Sequence, residues 1–172
     1  MKRVMIVALV LMLVLLTSCS VKNESQQSTV SDKETISTEE GSDMISITMS
    51  INGEKAEVTW ENNESVKALV KLAAESPLTI DTSMYGGFEQ VGSIGTDLPS
   101  NDVSITTEPG DIVLYTGNNI VVFYGSNSWS YTRLGHIENK SDEELKDLLG
   151  GNNVEITLSV EETALIQLKK QL

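Results

Sequence analysis

Cys19 is the single thiol of this 172-residue chain, and His136 is its single imidazole. One thiol excludes an intrachain disulfide, and one imidazole excludes any metal site that needs two. A hydrolytic triad would need a hydroxyl and a carboxylate placed around His136; the spacing identifies neither, so His136 reads as a strand residue. Asp142, Glu143, Glu144 and Asp147 lack calcium-loop spacing. They read as the solvated start of a helix, where the dipole favours acids. Gly86-Gly87 and Gly92-x-x-Gly95 do not form a phosphate-binding fingerprint between a strand and a helix. No catalytic residue, metal or cofactor is assigned. What remains are groups suited to binding. Trp129 and Tyr131 accompany a Gly/Ser/Asn loop, Gly125 to Ser130, without an obvious reason for burial. Glu89, between Phe88 and Gln90, is either a solvated acid or a polar anchor for a ligand. Phe88, Phe123 and Tyr124 fit the core or rim of a fold. Arg133 either pairs with one of the many acids or contacts a ligand.

The charge balance narrows the partners. With 25 acidic and 12 basic residues, the net charge is −13, which excludes sequence-independent nucleic-acid binding because that needs cations to displace phosphate counterions. The chain opens MKRVMIVALVLMLVLLTSC: a basic head, an apolar run from Val4 to Leu16, then Leu16-Thr17-Ser18-Cys19. The run suits a signal peptide and is short for a bilayer span. Its end resembles the lipobox of bacterial lipoproteins. That resemblance implies acylation of Cys19, removal of residues 1–18, and a lipid anchor holding the protein on the extracytoplasmic face of the cell membrane. Loss of Lys2 and Arg3 takes two positive charges from −13 and leaves −15, so acyl chains rather than electrostatics must hold the protein on an anionic leaflet. Residues 19–43, the anchor and a polar stretch with three large apolar residues, read as a disordered tether.

The elements that must position the candidate groups begin at Met44. Met44 to Ile51 alternates apolar and polar residues, Asn52-Gly53 signals a tight hairpin, and Glu54 to Trp60 alternates again. Asn62 or Asn63 caps a helix with Val66, Leu69, Val70 and Ala73 on one stripe, and Ser76-Pro77 ends it. A short strand, Leu78 to Asp81, is expected next, followed by an irregular glycine-marked region over 82–102 with at most one short strand. Val103 to Thr107, Asp111 to Thr116, Ile120 to Gly125 and Arg133 to Glu138 read as strands. The run Ile120-Val121-Val122-Phe123-Tyr124 predicts a strand that is buried on both faces or crosses the centre of the sheet. Ser141 to Glu144 is a capping box opening a second helix, and Val154 to Val160 is a final strand. Residues 161–172 form a tail that could be helical. Eight short strands and two amphipathic helices over 44–160 predict a mainly β domain. Closure into a barrel removes exposed edges, with the helices at its ends.

The stretches YGGFEQVG (85–92), EPGDIVLY (108–115), VFYG (122–125) and YTRLGHI (131–137) resemble those of the small bacterial cyclophilin-like proteins, and the element order agrees over about residues 44–160. The resemblance implies a closed eight-stranded cyclophilin-like β-barrel with an apolar groove on its outer surface. Cyclophilins proper are prolyl isomerases in which a guanidinium assists rotation about the prolyl amide, whose resonance sets a barrier of about 20 kcal/mol. Their Arg stands five positions before a Phe and eight before a Gln. Here Ser83 stands five before Phe88, and Gln90 is only two after it. The expectation is therefore a monomeric, membrane-anchored protein that binds a peptide or small ligand in a groove lined by Phe88, Glu89, Phe123 and Arg133. The alternatives are a divergent prolyl isomerase acting on exported chains and a structural envelope protein.

Overall fold

Ten strands and two helices follow one another along residues 47–161, the part of the chain that a computed structural model describes. They are β1 (Ile47–Ile51), β2 (Glu54–Ala56), β3 (Val58–Trp60), α1 (Glu64–Glu75), β4 (Leu78–Tyr85) and β5 (Glu89–Ser93). Then come β6 (Val103–Thr106), β7 (Asp111–Tyr115), β8 (Asn119–Phe123), β9 (Ser128–Ile137), α2 (Asp142–Leu149) and β10 (Asn153–Val160). The expected signal segment 1–18, the acylated Cys19, the tether 19–43 and the tail 162–172 lie outside the described residues, as does the start of the first strand.

The strands are antiparallel neighbours in the order β2-β1-β10-β4-β5-β8-β7-β9-β3, and β6 pairs with β9 off that path. The two ends of the path are consecutive in sequence. The run Glu54–Trp60, read as one strand, breaks at Glu57: β2 pairs with β1, and β3 pairs with β9. The alternation of Ala56, Val58 and Trp60 continues through the break, so the pattern could not show it. Counted as one bent stave, β2 and β3 complete the expected ring of eight, a nearly closed barrel. The Trp60 indole Nε1 donates to the Ile47 carbonyl at 2.8 Å and ties β3 to β1 across the seam.

Local chemistry makes the turns as the sequence requires. Asn52 and Gly53 both have positive φ, 51° and 81°, which a type I′ hairpin demands. Asn63 Oδ1 accepts from the Val66 amide at 2.9 Å and caps α1, while Asn63 Nδ2 donates to the Arg133 carbonyl at 2.8 Å. Ile47, Met49, Ile51, Leu69, Ile112, Leu114, Ile156 and Leu158 fill the interior. Ser141 and Glu144 form the capping box of α2, whose Leu145 and Leu149 join the same core.

Two expectations need correction. The region 82–102, expected to be irregular with at most one short strand, holds that strand and also the end of β4. β4 continues to Tyr85, Gly86-Gly87 turn with φ of 62° and 78°, and β5 follows. Buried Thr82, Glu89 and Gln90 hide the alternation there, and Gly92 is a strand glycine because a Cβ would stand 2.6 Å from Ile80 Cγ2. Likewise β9 starts at Ser128, not Arg133, so Trp129 and Tyr131 sit on a strand. Alternating serines disguised its polar face.

Close approach also fixes Gly135, where a Cβ would lie 2.7 Å from the Thr59 carbonyl oxygen. Gly135→Ala should force β3 away from β9 and cost about 2 kcal/mol, as overpacking does. Urea unfolding followed by tryptophan fluorescence measures it; an unchanged midpoint would contradict this account of the seam.

Candidate functional site

The residues of β7 and β8 alternate between two apolar clusters. Ile112, Leu114, Ile120 and Val122 face the barrel interior. Val113, Val121 and Phe123 face outward, yet they are as fully buried as the interior. That explains the continuous apolar run: both faces of this sheet are covered, as expected from the sequence. The outer cover is aromatic. Phe88 stacks on Phe123 with ring centroids 6.5 Å apart and 7° between planes. Tyr131 meets Phe123 edge-on at 5.8 Å and Tyr115 at 5.9 Å. Phe88 is pinned in place: its carbonyl accepts from the Tyr124 and Gly125 amides, both at 3.0 Å. The nearby glycines leave it room, since a Cβ on Gly86 would overlap the Phe88 ring and one on Gly125 would stand 2.7 Å from Phe88 Cβ.

Beside this cluster opens a cavity of about 620 Å³. Tyr85, Phe88, Glu89 and Val91 line it from β4, β5 and the turn between them. Tyr115 and Val121 line it from the central hairpin, and Asn127, Trp129 and Tyr131 from β9 and the turn before it. Tyr85 and Trp129 are 68% and 59% exposed and stand at its mouth. Asn127 Nδ2 donates to the Tyr131 hydroxyl at 3.0 Å and orients that ring.

Glu89 is the charge-bearing group of this cavity. It is 5% exposed, and its Oε2 has no hydrogen-bond partner among the described residues. An ionised carboxylate in such surroundings has lost water without gaining donors. Burial pushes its pKa up to about 7. The same charge is felt by its neighbours: burial, then Glu89, raises the pKa of Tyr124, and both raise that of Tyr131.

Of the four residues expected in the groove, the structure brings three together. Phe88 and Glu89 line the cavity, and Phe123 lies buried beneath Phe88, opposite Glu89 in the β5–β8 pairing. Arg133 is elsewhere. Its Nη1 donates to Asp111 Oδ1 at 3.0 Å, and Arg133 lines a separate cavity of about 640 Å³ at the start of α1. The two cavities share no lining residue. Val113 faces Arg133 across a register shift between Ile112 and Val113, and Asp111, one turn of the pleat further on, draws the side chain along the sheet. His136 Nδ1 lies 3.0 Å from the same Asp111 oxygen, and the Glu108 amide donates to the other at 3.0 Å. The carboxylate partner that spacing left unidentified for His136 is thus a buried aspartate shared with Arg133, which fastens β7 to β9.

Sequence reasoning missed Tyr85, Val91, Tyr115, Val121 and Asn127. A signal for Tyr85 was present: a Gly-Gly turn sets the residues on either side of it together, and the Phe88 amide donates to the Tyr85 carbonyl at 3.3 Å. None of the curated proteins matches the chain. Among solved structures, a hypothetical protein of Archaeoglobus fulgidus, known from a solution structure, is 18% identical. The match covers 67% of this chain and 93% of that one, with a TM-score of 0.46. The model of the Cyclophilin-like family matches residues 49–161, from within β1 to just past β10, and the chain belongs to that family.

Proposed function

We propose that the protein is a lipid-anchored binding protein of the extracytoplasmic membrane face. It takes a small ligand, or a side chain of a peptide, in the cavity beside Glu89. The observation that carries this reading is a buried carboxylate oxygen, Glu89 Oε2, without a partner among the described residues, inside an aromatic-lined cavity. Buried polar groups in folded proteins are nearly always paired, and a cavity of several hundred Å³ with apolar walls and few polar groups is the usual form of a ligand site. The isomerase alternative draws less support, because Arg133 is committed to Asp111 and borders the other cavity. The Leu16-Thr17-Ser18-Cys19 segment supports the anchor.

A fragment and peptide screen by amide-resolved NMR on the full chain tests the binding reading. Compounds that bind should perturb Asn127, Trp129 and Tyr131 together. Trp129→Ala should weaken them about tenfold, since an aromatic wall at a site mouth is worth 1–2 kcal/mol. Hits that map away from these residues, or that ignore the Trp129 change, overturn the site. For the anchor, labelled palmitate should enter the wild-type chain in cells and not Cys19→Ser; labelling of both would overturn it.

A further inference from the structure

We propose that the cavity selects organic ammonium groups, with the Glu89 carboxylate receiving the ligand's N–H. The proposal rests on the binding reading above and names its ligand class. The walls decide the sign of the charge. Glu89 is the sole acid lining the cavity among the described residues, and no Lys, Arg or His accompanies it. An anionic ligand would meet a carboxylate and no cation. A bare metal ion would find one carboxylate where hard cations take six or more oxygens. A neutral apolar ligand would bury the Oε2 orphan still deeper and leave it unpaired. An ammonium group supplies both the missing donor and the countercharge, and a charge-assisted hydrogen bond is about twice as strong as a neutral one. The aromatic lining adds attraction for a desolvated cation. The excess of 13 negative charges on the chain draws cations toward it.

The groups that face Glu89 from the packed elements are the phenols of Tyr85, Tyr115, Tyr124 and Tyr131. Burial, then Glu89 itself, pushes the Tyr124 and Tyr131 phenols up, away from neutrality, so between pH 5 and pH 8 the charge that changes in the cavity is that of Glu89. Cation affinity should therefore fall as the pH falls through the titration of Glu89 near 7, by about tenfold or more between pH 8 and pH 5.

The experiment titrates the full chain in detergent micelles with benzylamine, benzyl alcohol and benzoate at pH 8, reading the Trp129 and Asn127 NMR signals. Benzylamine should bind about tenfold or more tightly than either analogue. That preference should vanish in Glu89→Gln and at pH 5. A blocked Gly-Lys-Gly peptide, run alongside, separates a free amine from a peptide lysine as the source: tighter binding of the peptide supports the latter and of benzylamine the former, both within the proposal. If benzyl alcohol binds as well as benzylamine, the cation inference falls and the pocket stands. If no probe moves either signal, both fall.

Discussion

Replacing Glu89 with Gln should stabilise the barrel by roughly 3 kcal/mol at pH 8 and leave it nearly unchanged at pH 4. The carboxyl titrates near its ordinary value of 4.5 in the unfolded chain and at about 7 in the fold. Each unit of difference is worth about 1.4 kcal/mol. Below pH 4.5 the group is protonated in both states and imposes no penalty. As pH rises from 4.5 to 7, the unfolded chain loses its proton first, so the unfolded state gains and the fold loses stability. Above 7 the penalty is complete. Gln has the same shape and no charge to desolvate. Urea midpoints at pH 4, 6 and 8 for both proteins measure the effect. The difference between them matters, because Glu64 and Glu144 have pKa values lowered by Lys67 and by Ser141 and contribute the opposite slope at lower pH. A wild-type-minus-variant difference that stays flat from pH 4 to pH 8 would show that Glu89 is solvated or paired after all.

A buried carboxylate oxygen left without a donor among the described residues calls for a function that uses it. The substitution that stabilises the barrel should also remove the cation preference of the cavity, the usual opposition between stability and a pre-formed site. Asp111 provides the contrast within the same sheet. It is as buried as Glu89, yet it accepts from Arg133, His136 and the Glu108 amide. Its charge is spent on holding two strands together. One buried acid has its donors inside the protein; the other has an oxygen facing none among the described residues.

How far the sequence showed this depended on whether neighbours or distant segments did the work. Asn52-Gly53, the Asn63 cap and the Ser141–Glu144 box are local, and they stand where the sequence places them. The apolar run through Phe123 announced a sheet covered on both faces without saying by what. The site itself is non-local. Glu89 becomes an orphan only because β8 sets Phe123 opposite it and β9 brings Tyr131 alongside, and nothing in the order of residues states that pairing. Arg133 was misplaced for the same reason, since its partner Asp111 lies 22 positions earlier and meets it only through the β7–β9 register. The serines around Trp129 made a strand look like a loop, and the break at Glu57 kept the alternation of the strand it divides.

Gln90→Ala should be the most damaging single change near the site, at about 4 kcal/mol. Gln90 is fully buried, and its Nε2 donates to the Leu149 and Gly151 carbonyls, both at 2.6 Å. Those two acceptors fix which way the amide points, since the reverse orientation would set its oxygen against them. Its Oε1 lies 3.0 Å from the Thr82 hydroxyl, which also reaches the Val154 carbonyl at 2.7 Å and has one proton for the two. The side chain thereby replaces the helical donors that the end of α2 lacks. Truncation strands the buried Leu149 carbonyl, at a cost of 1–3 kcal/mol, and opens a cavity that adds a similar amount. Gln90→Leu fills the space without supplying donors, so about half the loss should remain. Urea unfolding of the two variants separates the contributions. Losses below 1 kcal/mol for both would mean that α2 does not depend on this contact. The consequence reaches the cavity through the strand itself: Gln90 points into the barrel and Glu89 out of it, so the bond that fastens β5 to α2 also holds the orphan carboxylate toward its ligand. Gln90→Ala should therefore weaken benzylamine binding even at temperatures where the variant remains folded.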